Sequence, residues 1–178
     1  PYSYADGLEF AGALGNSGGS DRTIATFLAK PACGIGPVLD ADNTIWERAG
    51  SAQLNRYTLD GRLLASFELP DSNNKFRDQL TLAGDHLLFH LGKNLYRLKV
   101  NEAPGTKAEK LEGNADLMAP SAFRGRGLIF DNGEIAWLDP STGDRKPIVK
   151  NIQSLRHLFA GEDGTVFAFT GREVLAWK

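Results

Sequence analysis

Cysteine is almost absent: Cys33 is the only one in 178 residues. No internal disulfide can form, so cysteine chemistry assigns no compartment. No apolar run approaches the roughly 20 residues that a membrane-spanning helix needs. Excess charge is lacking too, with a formal net charge of −2 and a pI near 5.9. That balance removes any electrostatic case for binding nucleic acid or an anionic membrane. There is no Asn-x-Ser/Thr sequon. No signal peptide is present, but the chain opens at Pro1 rather than Met, so its lack is uninformative. No amphipathic helical pattern of useful length occurs. What remains, 42% hydrophobic and 24% charged, is the composition of one ordinary globular domain.

Against that background stands a fourfold repeat of about 40 residues. Leu54, Leu95, Ile135 and Val174 form one apolar column, and Tyr57, Leu98, Leu138 and Trp177 form another three residues later. Ile45, Leu87, Leu128 and Val166 keep the same beat upstream. Arg22-Thr-Ile-Ala-Thr-Phe27 also echoes Arg62-Leu-Leu-Ala-Ser-Phe67. Glycine, at 20 residues, and proline, at 8, punctuate short runs rich in β-branched and aromatic residues, the pattern of strands joined by tight turns. A strand repeat of this period indicates an all-β β-propeller of about four blades with four strands each.

The expected strands are Pro37–Asp40, Thr44–Arg48, Gln53–Thr58 and Arg62–Glu68 in the first complete unit. Gln79–Ala83, His86–Leu91, Asn94–Val100 and Lys107–Leu111 make the second. Pro120–Arg124, Gly127–Asp131, Glu134–Leu138 and Arg145–Val149 make the third. The last has Arg156–Ala160, Thr165–Thr170 and Glu173–Lys178, one strand short. The units read 8–30, 37–69, 79–112, 120–150 and 156–178 within a single domain, 1–178. Leu54 and Tyr57 lie on opposite faces of one strand, so both faces need cover, which stacked blades supply.

The segment Gly36-Pro-Val-Leu-Asp-Ala-Asp-Asn-Thr-Ile-Trp46, followed by Leu54-Asn-Arg-Tyr-Thr-Leu-Asp-Gly-Arg62, resembles an NHL-type propeller repeat. Leu95-Tyr-Arg-Leu98, Asp139-Pro-Ser-Thr-Gly143 and Glu162-Asp-Gly-Thr165 keep parts of the pattern. The resemblance implies rings of about six blades, so the chain is expected to be part of a larger propeller or, alternatively, a closed four-bladed ring. In the ring, Arg22–Leu28 would complete the last unit. Leu8–Leu14, similar to a third strand, points instead to a longer propeller. The resemblance and the Met-less start together suggest a secreted or periplasmic address.

Propellers carry ligands on the face formed by the outer-to-inner connections and the second-to-third-strand turns. The polar candidates there are Arg48, Arg77, Asp78, Lys93, Asp131, Arg156, His157 and Arg172. A solvated rim is the simplest account of each. His86 and His90 are four apart on a strand, about 13 Å, too far for one metal. Asp40, Asp42 and Asn43 suggest calcium but lack the spaced glutamate of an EF-hand, and turn chemistry accounts for them. Cys33 has only Lys30 as a basic neighbour and reads as a structural thiol. Gly34-Ile-Gly36 opens no helix, so it is no dinucleotide motif. Trp46, Trp137 and Trp177 read as packing between blades. No catalytic or metal-ligand set emerges, and no cofactor beyond a possible calcium.

The sequence therefore points to a non-catalytic propeller module that recognises a protein or glycan through its loop face or a blade edge. Further blades of the same polypeptide or a second chain are the expected partners. The alternative is a segment of a lactonase- or sugar-dehydrogenase-type propeller enzyme whose site is completed elsewhere.

Overall fold

The structure, a computed structural model, describes residues 37–49, 53–70 and 80–178. The candidate strands Leu8–Leu14 and Arg22–Leu28, the glycine-rich stretch around Cys33, and Arg77 and Asp78 lie outside the described residues. Among these there are fifteen strands and no helix. They form four antiparallel sheets, each in sequence order. Sheet 1 is β1 (Val38–Leu39), β2 (Thr44–Ala49), β3 (Gln53–Thr58) and β4 (Leu63–Glu68). Sheet 2 is β5 (Thr81–Ala83), β6 (His86–Leu91), β7 (Asn94–Lys99) and β8 (Glu109–Asn114). Sheet 3 is β9 (Leu117–Phe123), β10 (Arg126–Asp131), β11 (Glu134–Leu138) and β12 (Arg145–Val149). Sheet 4 has only β13 (His157–Ala160), β14 (Val166–Phe169) and β15 (Val174–Trp177).

The chain divides into two compact units. One holds sheet 1 with Ala103–Ala108; the other holds sheets 2, 3 and 4. In the first unit, Asp40 organises the turn between β1 and β2. Its Oδ1 accepts from the Asp42 and Thr44 amides at 3.0 and 2.9 Å. Its Oδ2 accepts from Thr44 Oγ1 at 2.5 Å and Trp46 Nε1 at 2.9 Å, and lies 3.1 Å from Arg56 Nη2. Asn43 takes the left-handed conformation that this turn needs, at φ 56°. Trp46 is fully buried, stacked on Phe67 at 5.4 Å, with the Arg56 guanidinium over it at 5.4 Å. The opposite sheet face carries a polar row: Glu47 pairs across to Asn55, and Asn55 accepts from Ser66 and donates to Tyr57. Burial pushes the Glu47 carboxyl upward.

In the second unit the sheets stack through their inner strands. Thr81 Oγ1 on β5 donates to the Ala119 carbonyl on β9, and the Ala160 amide on β13 donates to Ser121 Oγ at 2.8 Å. Stacking explains why β6 is buried at all six positions. Gly127 has no side chain because Leu88 of sheet 2 fills the space: a Cβ there would lie 2.5 Å from Leu88 Cδ1. Ala119, Leu128, Ile135, Leu158, Val166 and Ala168 form the core between sheets 3 and 4, with Trp137 and Trp177 half-buried against it.

Most strand ends fall within two residues of expectation, and two lie three residues away. β8 runs to Asn114 rather than stopping at Leu111, because Asn114 pairs with Asn94 and the Ala115 amide bonds the Lys93 carbonyl at 2.8 Å. β9 begins at Leu117, three residues before Pro120. A register shift opposite Gly127 to Ile129 accommodates the proline that sequence reasoning placed at the strand start.

Candidate functional site

Three places in the second unit bear on function. The first is the expected loop face. Lys93, in the β6–β7 turn, pairs with Asp116 at 2.8 Å, and Asp116 Oδ2 accepts from the Asn132 amide at 3.1 Å. The hydrogen bonds from Lys93 and the Asn132 amide hold the Asp116 carboxyl below its usual range against the effect of burial. The Asp116 contact raises Lys93 in turn. Asp131 lies 3.3 Å from Arg145 Nη1, and Arg145 Nη2 donates to the Asn114 carbonyl at 2.7 Å. His90 accompanies the cluster: its Nδ1 is 3.0 Å from the Gly92 carbonyl, and burial pushes its imidazole pKa down.

The structure thus brings Lys93 and Asp131 together and adds Asp116, Asn132 and Arg145, which the sequence did not single out. Their charges satisfy one another and fasten sheet 2 to sheet 3. Arg156 lies elsewhere, against Gly171 in the β14–β15 turn that also carries Arg172. A Cβ on Gly171 would sit 2.7 Å from Arg156 Nε, and His157 lies edge-on to Phe169 at 6.4 Å. Arg48 is in the other unit and buried at 5% exposure. His86 and His90 are both buried on β6, and His86 Nδ1 is 2.7 Å from Asp85. Of the two acidic residues weighed for calcium, Asp40 has both oxygens filled by protein donors, and Asp42 lies 3.2 Å from Arg56 Nη2. Among the described residues, no three His, Cys, Asp or Glu side chains converge in metal-binding geometry.

The second place is the edge of sheet 4. The Thr170 amide bonds the Glu173 carbonyl at 3.1 Å, which makes them the bonded pair closing the β14–β15 hairpin. Antiparallel pairs alternate, so Leu175 and Trp177 bond to β14, while the N–H and C=O of Val174 and Ala176 point outward. Val174 is 57% exposed. The fourth strands β4, β8 and β12 each meet their third strand with a register shift, and β12 also carries Pro147. Such irregularities discourage edge pairing. The β14–β15 register is unbroken and β15 contains no proline.

The third place was not anticipated. A cleft of about 360 Å³ is lined by Phe123, Arg124, Arg126, Trp137 and Lys146. It belongs to the end of sheet 3 opposite the loop face, where the β9–β10 turn lies. Arg124 and Gly125, at φ 49° and 75°, form a type I′ hairpin turn. Asn, Asp or Gly normally fills the first of these positions, as Asn132 does in the next turn at φ 46°. The Arg124 guanidinium sits over the Phe123 ring at 5.0 Å, and Phe123 lies 5.9 Å from Trp137. Arg124, Arg126 and Lys146 are exposed, and none is within ion-pair distance of a carboxylate among the described residues. Sequence reasoning missed the site because its residues span four strands; the legible signal was Arg-Gly where a hairpin tip prefers Asn-Gly.

No protein-family model matches the sequence, and no curated protein matches it. Several solved structures do. The computationally designed Ika4 protein superposes with a TM-score of 0.55 at 12% identity, over 78% of this chain and 87% of that one. The extracellular domain of the putative hybrid two-component system BT3049 from B. thetaiotaomicron gives 0.54 at 11% identity, over 80% and 21%. The Pan2 WD40 domain of Neurospora crassa gives 0.54 at 10% identity, over 74% and 42%. The chain spans less than half the length of either natural neighbour. Four-stranded antiparallel meanders stacked through their inner strands, with neighbours of this kind, make the chain an all-β protein of the β-propeller type.

Proposed function

We propose that this chain is a non-catalytic binding module that captures an extended segment of a protein partner on the edge of β15. The observation that carries the reading is the regular, proline-free outer edge of β15, beside three fourth strands that are all bulged. Strand addition to an open edge draws affinity from main-chain hydrogen bonds and specificity from alternate side chains. Here the Val174 and Ala176 groups would supply the hydrogen bonds. The NHL-like segment Gly36–Arg62 fits a module within a larger propeller, and the edge favours a protein over a glycan as partner.

Ala176→Pro tests this. It deletes one outward N–H and leaves the β14 ladder intact, and proline is tolerated on an edge whose N–H faces solvent. Eight-residue peptides selected from a displayed library on the parent protein should bind Ala176→Pro at least about tenfold more weakly. The urea unfolding midpoint should stay unchanged. Equal binding to both proteins, or a library that yields no binder, overturns the reading.

A further inference from the structure

We infer that the cleft of Phe123, Arg124, Arg126, Trp137 and Lys146 reads acidic side chains on the strand that β15 captures; the inference rests on the edge reading above. The link is the repeat itself. In sheet 2, Arg97 lies across from Glu109 and binds it with two nitrogens, while its Nη1 donates to the Pro140 and Ser141 carbonyls. Those carbonyls belong to the β11–β12 hairpin of sheet 3. Forty residues on, Trp137 occupies the position of Arg97, and Lys146 lies across from it.

The row Leu128–Trp137–Lys146 therefore faces sheet 4 as Arg97 and Glu109 face sheet 3. Its cover fades outward: Leu128 is fully buried, Trp137 half-buried and Lys146 exposed. The fourth strands of neighbouring sheets also meet. Gly113 on β8 has no room for a Cβ beside Arg145 of β12, and Gly143 approaches Leu111. A strand added to β15 takes the fourth place in sheet 4, and its end at this face comes to lie beside Lys146 and the cleft. The near end of β15 reaches the same place: Lys178 is 3.6 Å from Asp163, and Gly164 next to it packs on the Phe123 ring.

The chemistry of the occupant follows from charge. Arg124, Arg126 and Lys146 are exposed and make no ion pair with a carboxylate among the described residues, although the Arg126 charge reaches Asp139. The cluster asks for carboxylates, and two of its members are guanidinium groups suited to planar, two-pronged recognition. The tilted Phe123–Trp137 pair supplies an apolar wall beside them. Arg22–Leu28 of this chain, the other segment with fourth-strand character, carries no carboxylate and does not complement the cleft. Arg124 bears the cost of a left-handed backbone to stand there, a departure from turn preference of the sort that collects at functional sites.

The test uses the whole chain and ten-residue fluorescent peptides alternating threonine with glutamate, lysine or glutamine, read by anisotropy at low and high salt. The glutamate peptide should bind about tenfold tighter than the lysine peptide at low salt, with the gap shrinking as salt rises. Lys146→Glu and Arg124→Glu should reverse that order, with unchanged circular dichroism and unfolding midpoint. Equal binding of the glutamate and lysine peptides, or an unchanged preference in both variants, overturns the inference. If Ala176→Pro still weakens all three peptides, the edge reading survives that result. If Ala176→Pro weakens none, the edge reading fails as well. Binding of a heparin oligosaccharide that the charge reversals abolish, with peptides not distinguished, would assign the cleft to sulfated glycan and overturn the inference.

Discussion

Replacing Asp40 by Asn should destabilise sheet 1 far more than an ordinary turn substitution, by an amount that depends on pH. Five donors converge on one carboxylate: two amides, the Thr44 hydroxyl, the Trp46 indole and the Arg56 guanidinium. Asn presents one oxygen and one NH₂, so at least two donors face another donor. Each bond to a charged acceptor contributes about 1.5–3 kcal/mol, and removing one member of a buried ion pair costs about 3–5 kcal/mol. Arg56 keeps Asp42 at 3.2 Å and Thr44 Oγ1 at 2.6 Å, which reduces the loss. The expected cost is about 2–4 kcal/mol at pH 7, a large part of a typical domain's stability. Urea unfolding followed by tryptophan emission measures it. Burial alone would raise the Asp40 carboxyl, but the Thr44 and Trp46 hydrogen bonds and the Arg56 charge hold it below its ordinary value. The unfolded chain therefore takes up the proton first. The contribution is complete above the ordinary carboxylate range and is lost as pH falls through the folded value. Parent and Asp40→Asn should converge on acidification. A difference under about 0.5 kcal/mol at pH 7, or one that persists unchanged at pH 3, refutes the reasoning.

Gly127→Ala forces a methyl group against Leu88 and should cost about 1–3 kcal/mol, recovered in part by adding Leu88→Ala; denaturation of the single and double variants checks this. Arg124→Asn should stabilise the chain by about 0.5–1 kcal/mol, because Asn accepts the left-handed turn more readily than Arg, while weakening the glutamate peptide. A stability gain with undiminished glutamate preference would separate the strain from recognition. Burial depresses His90 while the Gly92 carbonyl and Asp116 oppose it, so the unfolded state binds its proton first. Stability should fall as pH drops below the ordinary histidine value, and His90→Gln should flatten that slope in unfolding midpoints taken from pH 7.5 to 5.5.

The repeat columns made the sheets legible because they mark residues that stacking buries. Leu54, Leu95 and Ile135 are wholly buried, as is the Ile45, Leu87, Leu128 and Val166 column to within 2%. Val174 fits the first column in sequence but is 57% exposed, because it lies on the face of sheet 4 turned away from the core shared with sheet 3, and no further described sheet of this unit stacks on that face. The deviation is therefore itself informative: periodicity reports what a position is built to meet, and exposure reports whether it has met it. Turn chemistry was equally legible at Asp60-Gly61 and Asn132-Gly133. The strand ends around Pro120 were not, because a bulge depends on pairing with Gly127 rather than on the residues beside it.

The candidate site was less legible, for a reason that bears on its function. Charged residues in loops drew attention to the loop face, yet Lys93, Asp116, Asp131 and Arg145 neutralise one another there. Charge that is paired within the fold holds sheets together; charge left without a counterion in the fold is available to a partner. By that criterion Arg124 and Lys146 are the informative cations among the described residues, with Arg126, whose charge also acts on Asp139, beside them. Arg126 and Lys146 sit inside strands, and their sequence neighbours suggest only solvated edges. Their meaning depends on sheet 4. With the β11–β12 hairpin covering Arg97, sheet 2 is closed there, whereas Trp137 and Lys146 hold the same positions beside an edge that no described strand covers. On the proposed reading, a strand that closes that edge would have to complement both the hydrogen-bonding pattern of β15 and the positive charge of sheet 3, two requirements that an extended acidic segment meets together.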